Sequence, residues 1–289
     1  MPNYKRKTFF FNILNLSINR VNYSFLHPLI QDGVNALANA HCMNTTLNYL
    51  NLHNNQLNSE YSKVLVEVLC TLNNISLKSL VIYDNTFGSE GGKVFTEVLC
   101  KNNLKSEGME TLIDALCNNT TLNSLDLSYN FLRFGGANAI AKILFENTGL
   151  TSLDHSCNEF DSVGGILIVK ALYKNITLIS LNLDSNYLDS EGGKVILESI
   201  SMNTTLKSLN IYYNLIGYNG GKALTEILSR ALVKNTTLNS VNLQNNSIGF
   251  KAGLELVKTF RMSTFLTHLE LSDNYISYIS YKGTITPLV

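Results

Sequence analysis

Along most of this chain the apolar residues keep one spacing, Leu-x-x-Leu-x-Leu-x-x-Asn-x-Leu, with other apolar residues standing in for some Leu. It fits at Phe11 to Val21, Leu47 to Leu57, Leu77 to Phe87, Leu122 to Leu132, Leu150 to Phe160, Leu178 to Leu188, Leu206 to Ile216, Leu238 to Ile248 and Leu266 to Ile276. The alternation at its centre is the period of a strand with one buried face. Beyond each template Asn the period lengthens. Apolar residues then fall in pairs one turn apart, as in Ala139, Ile140, Ile143 and Leu144, the stripe of an amphipathic helix. Each unit is therefore predicted to run strand, turn, helix and return. Neither amphipathic element can bury its face alone, so units must stack, strand beside strand and helix beside helix.

The template Asn column is Asn19, Asn55, Asn85, Asn130, Asn158, Asn186, Asn214, Asn246 and Asn274, and from Asn130 to Asn214 the interval is a constant 28 residues. An Asn at this bend can turn its amide onto nearby backbone groups, so stacked units are expected to form an Asn ladder. Gly pairs at Gly91-Gly92, Gly164-Gly165, Gly192-Gly193 and Gly220-Gly221 fall where the helix begins. Gly costs roughly 1 kcal/mol against Ala in a helix interior, so its return predicts a place where backbones approach too closely for side chains. The phrase "SEGGKV" is not a phosphate loop. Val94, Val195 and Ala223 stand where a Walker motif needs Ser or Thr.

These units resemble the leucine-rich-repeat proteins of the ribonuclease-inhibitor type, whose 28-residue units also occur in Ran GTPase-activating proteins and NOD-like receptors; the likeness spans nearly all of residues 11–276. The resemblance implies an α/β leucine-rich-repeat solenoid, a horseshoe with a parallel concave sheet and convex helices, in which residues 1–289 form a single domain. For function it implies a non-enzymatic protein-binding scaffold. The alternative is a GTPase-activating or regulatory protein for a Ran-like small GTPase, although the acidic tail of those proteins is not found in this sequence.

Asn19 to Asn55 and Asn55 to Asn85 span 36 and 30 residues, and two later intervals also depart from the period. Asn85 to Asn130 spans 45 residues, and "CKNNLKSEGMETLIDALCNN" supplies the second half of a unit without its strand. An irregular, strand-less helical unit is expected at 90–118, with the sheet either interrupted or closed by pairing 80–82 directly with 125–127. Asn214 to Asn246 spans 32 residues. The additional residues in "EILSRALVKN" add about one helical turn, which preserves the buried face. Residues 277–289 carry no Gly pair or helical stripe and read as an uncapped C-terminal tail.

Columns flanking the buried strand Leu should line the concave face. They hold Tyr49, His53, Tyr83, Asp84, Asp126, Tyr129, Asp154, Asp184, Tyr212, Tyr213, Glu270 and Asp273, with no Lys or Arg in the eight rows from Tyr49 to Asp273. The expectation is an acidic, Tyr-containing surface for a protein partner with a basic or polar segment, and one that repels nucleic acid. The plainer alternative is that Ser and Asn, frequent in the same columns, are filler on a solvated sheet. Overall charge adds nothing, because Lys plus Arg and Asp plus Glu both total 22.

No cofactor, metal or catalytic residue is expected. The five cysteines, Cys42, Cys70, Cys100, Cys117 and Cys157, form no CxxC pair and read as reduced packing thiols. His155 stands at a template Leu position beside Asp154, so it reads as a hydrogen-bonded core histidine and not as a base. Asp126 and Asp154 share a column in adjacent rows, about 4.8 Å apart if the strands pair, which would raise the pKa of one of them. Asn12 and Asn15 interrupt the apolar run after the basic N-terminus, and no run reaches membrane-spanning length, so a soluble cytoplasmic protein is expected, with the nucleus left open and no membrane partner. The recurring Asn-x-Thr sequons at Asn44, Asn175 and Asn235 are attributed to the repeat, not to modification.

Overall fold

The computed structural model describes residues 13–15, 48–55, 57, 77–82, 84–85, 120–216, 226–227, 230 and 235–276. Nine parallel strands form one sheet in strict chain order. They are β1 (Ile13–Asn15), β2 (Tyr49–Asn51), β3 (Ser79–Val81), β4 (Ser124–Asp126), β5 (Ser152–Asp154), β6 (Ser180–Asn182), β7 (Ser208–Asn210), β8 (Ser240–Asn242) and β9 (His268–Glu270). Helices α1 (Arg133–Glu146), α2 (Asp161–Leu172), α3 (Ser190–Ile200) and α4 (Phe250–Met262) each follow a strand. Strands stack about 4.8 Å apart and helices about 8–10 Å apart, so the helical side is the longer arc and the sheet lies on the concave side.

Register is uniform. Leu50, Leu80, Leu125, Leu153 and Leu181 are successive Cα partners, and all are buried. Burying such a side chain contributes about 1.5–3 kcal/mol, and every unit repeats the contribution. The helix stripe closes the other side: Ala139, Ile140, Ile143 and Leu144 in α1 are buried, as are Ile196 and Ile200 in α3. Across the 45-residue interval the sheet is closed by direct pairing, with Leu80 opposite Leu125. The proposed helical unit at 90–118, the tail at 277–289 and Asn19 lie outside the described residues.

The Asn ladder is present. Asn158 Oδ1 accepts from the backbone N–H of Asn130 at 3.0 Å and of Leu132 at 3.3 Å in the preceding row, while its Nδ2 donates back to the Leu127 carbonyl at 2.9 Å. Asn186 and Asn214 repeat the arrangement, and so do Asn85 with the Asn55 row and Asn274 with the Asn246 row. A second ladder runs along the opposite edge, where helix returns to strand. Asn203 and Asn235 donate to the carbonyls of Asn175 and Asn203, at 3.0 and 2.8 Å. Each caps its own strand entry as well: Leu178, Leu206 and Leu238 N–H groups donate to Asn175, Asn203 and Asn235. All three are sequon asparagines, and all three are buried.

The second glycine of the described pairs needs a different reason from the one expected. A Cβ on Gly193 would lie 2.8 Å from Ile216 Cγ2, and one on Gly165 or Gly253 would overlap Leu188 or Ile276. What crowds these positions is the last template side chain of the following row, whereas the first glycines face the preceding unit, Gly164 toward Ala137 Cβ at 2.8 Å and Gly192 toward the Ser162 backbone at 3.4 Å.

Candidate functional site

The concave columns assemble as the register dictates. Asp126 sits opposite Asp154, and Asp154 opposite Asn182. Within a row, each carboxylate is held by the next turn. Ser128 donates both N–H (3.0 Å) and Oγ–H (2.7 Å) to Asp126 Oδ1, and Ser156 does the same for Asp154 at the same distances. Between rows, Asn182 Nδ2 donates to the other oxygen of Asp154 at 2.8 Å. Ser128 and Ser156 are themselves buried, so those two positions are supports for the carboxylates and not open binding positions.

A half-buried acidic cluster results. Burial holds the Asp126 carboxyl above the usual carboxylate range, the charge of Asp154 adds to this, and the Ser128 bonds and His53 oppose it. Asp184 is raised for the same main reason, burial, with Asp154 adding, although Ser185 donates to it at 2.6 Å. Exposed Asp84 extends the cluster, with His53 Nε2 3.9 Å from its Oδ2. At the far end Glu270 is half-buried, and exposed Asp273 accepts from Gln244 Nε2 at 3.3 Å.

Tyrosines rim the cluster. Tyr129 is 50% exposed and Tyr213 54%, whereas Tyr49 and Tyr212 are half-buried; Tyr83 lies outside the described residues. Tyr212 and Tyr213 rings are 5.9 Å apart. Cys157 is free and half-buried, and its thiol is raised by burial. Its hydrogen bond with Tyr129 pushes that phenol up to about 12. Cys157 therefore lies on the candidate face instead of in the core.

Sequence reasoning missed the backbone beneath these tyrosines. The residue before each described ladder Asn, including Tyr129 and Tyr213, has φ between 47° and 58°. Left-handed backbone costs a side-chain-bearing residue about 1–2 kcal/mol, and Asn or Asp tolerates it best. Asn54, Asp84, Asn245 and Asp273 occupy four of the rows, so the signal lay in their recurrence. Phe131, Tyr187, Leu215 and Tyr275, one place beyond the ladder, are also exposed and were not anticipated.

His155 is 0% exposed, accepts or shares a hydrogen bond between Nδ1 and Asn158 Nδ2 at 3.1 Å, and packs on Phe160 at 4.7 Å between ring centres. Burial lowers its pKa to about 3. Its ring is therefore neutral and faces the core, away from the acidic cluster. Among the described residues no group of three His, Cys, Asp or Glu side chains could hold a metal ion, and no helix is long and apolar enough to cross a membrane.

A family model described as Leucine Rich repeat matches residues 73–95, 118–141, 174–197, 203–224 and 234–256. The chain carries leucine-rich repeats. Its fold is accordingly an α/β leucine-rich-repeat solenoid, with the parallel sheet and following helices described above. No curated protein matches the sequence significantly. Among solved structures, actin-binding site 2 of leiomodin-1 is 18% identical with a TM-score of 0.44, over 52% of this chain and 88% of that one. The leucine-rich repeat-containing protein LegL7 from Legionella pneumophila is 21% identical with a TM-score of 0.43, over 80% of this chain and 67% of that one.

Proposed function

We propose that this leucine-rich-repeat chain is a non-enzymatic protein-binding scaffold whose acidic, Tyr-rimmed concave face receives a basic or polar segment of a partner protein. The observation that carries this reading is the carboxylate cluster Asp84, Asp126, Asp154 and Asp184, raised above its ordinary range at two members and unaccompanied by Lys or Arg in the concave columns. Such a cluster is stabilised by an incoming cation, and half-exposed Tyr129 and Tyr213 are of the residue type that anchors interfaces.

A labelled Lys- and Arg-rich peptide containing Leu tests the reading by fluorescence anisotropy. Asp126→Lys with Asp184→Lys should weaken binding by roughly a hundredfold. Asp126→Asn with Asp184→Asn, a gentler pair, should weaken it in the same direction without disturbing the helix signal in circular dichroism. Equal binding by both pairs would overturn the assignment. Acceleration of GTP hydrolysis on purified Ran by the wild-type chain would replace it with the GTPase reading.

A further inference from the structure

On the convex side, α1 and α2 leave a groove of about 380 Å³ between them. Ala141, Lys142 and Phe145 line it from α1, and Leu167, Lys170 and Lys174 line it from α2 and the residues just after. We propose that this groove binds a carboxylate-rich protein segment carrying an apolar side chain.

Charge is the first ground. Three ammonium groups border the groove, and among the described residues Lys142 pairs with Glu146 at 4.0 Å. Lys174 Nζ sits 5.2 Å from the centre of the Phe145 ring, and Lys170 has no ion pair among the described residues. Register makes this groove unlike the next. Lys142 and Lys170 occupy the same place in successive units, so like charges stand on neighbouring helices, while the following unit places Glu198 there. Lys170 and Lys174 are also a like-charge i,i+4 pair, an arrangement that costs stability until an anion neutralises it. The dipole at the end of α2 accounts for cations at its own C-terminus but not for Lys142 across the groove.

The floor supplies the second ground. Ala141 and Leu167 are half-buried, and Phe145 is 56% exposed beside them. An apolar floor ringed by ammonium groups matches a side chain flanked by carboxylates. A phosphate backbone has nothing to place on that floor, so a protein segment is favoured over a nucleic acid. The volume lies at the lower end of ligand-binding pockets, suited to one anchoring side chain.

The test uses the full chain and a labelled Glu-rich peptide with a central Phe, followed by fluorescence anisotropy at low salt. Wild type should bind, Lys170→Glu with Lys174→Glu should weaken binding roughly tenfold, and Phe145→Ala roughly threefold. Asp126→Asn with Asp184→Asn, on the concave side, should leave this binding unchanged, which separates the groove from the face proposed above. Absence of wild-type binding, or equal binding by the charge-reversed chain with its helix signal intact, overturns the proposal. So does displacement of the peptide by an oligonucleotide of equal charge more readily than by unlabelled peptide. Sedimentation as a dimer that the charge reversal converts to a monomer also overturns it, because a second copy would then be the occupant.

Discussion

The rows from Asn130 to Asn214 and the joint that follows them are made of the same parts but fastened differently. Within the regular stretch, Asn214 Oδ1 accepts from Asn186 N–H at 3.1 Å and Leu188 N–H at 3.0 Å, and Nδ2 donates to the Leu183 carbonyl at 3.1 Å. At the next joint Asn246 Nδ2 still donates to the Ile211 carbonyl at 2.8 Å, but its buried Oδ1 has no hydrogen-bond partner. The regular donors to this oxygen would be the N–H groups of Asn214 and Ile216; the residue between them, Leu215, donates to the Leu188 carbonyl at 2.7 Å. Asn130 Oδ1 is orphaned in the same way, and it too follows an interval that departs from the 28-residue period. Strand pairing and the return edge stay intact at the 32-residue joint, through Leu209 opposite Val241 and Asn235 donating to the Asn203 carbonyl. At these two joints the turn edge gives way while the strands stay paired, whereas the 30-residue interval from Asn55 to Asn85 keeps both turn-edge bonds.

The largest test of this contrast removes one ladder residue from each region. Asn186→Ala strips the buried N–H groups of Asn158 and Phe160 of their acceptor and should cost about 3 kcal/mol in urea unfolding. Asn246→Ala removes donors but no used acceptor and should cost about 1 kcal/mol. Equal losses would mean that the joint is fastened by contacts other than the ladder.

His155 sharpens the picture inside the regular stretch. Between its ordinary pKa of 6.5 and its folded value of about 3, the unfolded chain binds a proton there that the folded chain does not. Stability from this site is thus complete above the unfolded value and falls with pH through that window, by ~1.4 kcal/mol per unit. His155→Leu restores the template, and Asn158 Nδ2 keeps its carbonyl acceptors. The variant should gain about 2 kcal/mol over wild type at pH 5, and wild-type and variant pH profiles of urea unfolding should converge near neutrality.

Hydrogen exchange offers a smaller, local readout. Backbone amides of the Asn214 row should open at a free energy ~1–2 kcal/mol below those of the Asn158 and Asn186 rows. Smallest of all, Tyr213→Asn relieves a left-handed Tyr and should raise stability by ~0.5–1 kcal/mol while weakening binding of the basic peptide at the concave face.

Strands, helix stripes and the turn-edge ladder were legible because each rests on a period, and stacking turns a period into contacts. The missing strand in the long interval left two outcomes open, an interrupted sheet or direct closure, and the pairing of β3 with β4 is the second. The return-edge ladder was present in the recurring Asn-x-Thr phrases, but their meaning depends on a carbonyl in the preceding unit, and periodicity alone does not say which atoms face it. The crowding at Gly165 and Gly193 was located correctly and attributed to the wrong neighbour for the same reason. In the candidate site, the acidic column could be read from strand alternation. The burial of Ser128 and Ser156 could not, since it arises from a turn that folds their hydroxyls under the carboxylates.

The return-edge asparagines have a practical consequence for producing this protein. Asn175, Asn203 and Asn235 lie in acceptor triplets for N-linked sugars, yet the nitrogen a glycan would occupy is the one that reaches the previous coil. A host that decorates nascent polypeptides before they close would yield molecules unable to wind shut at those three places, whereas synthesis in bacteria leaves all three nitrogens available.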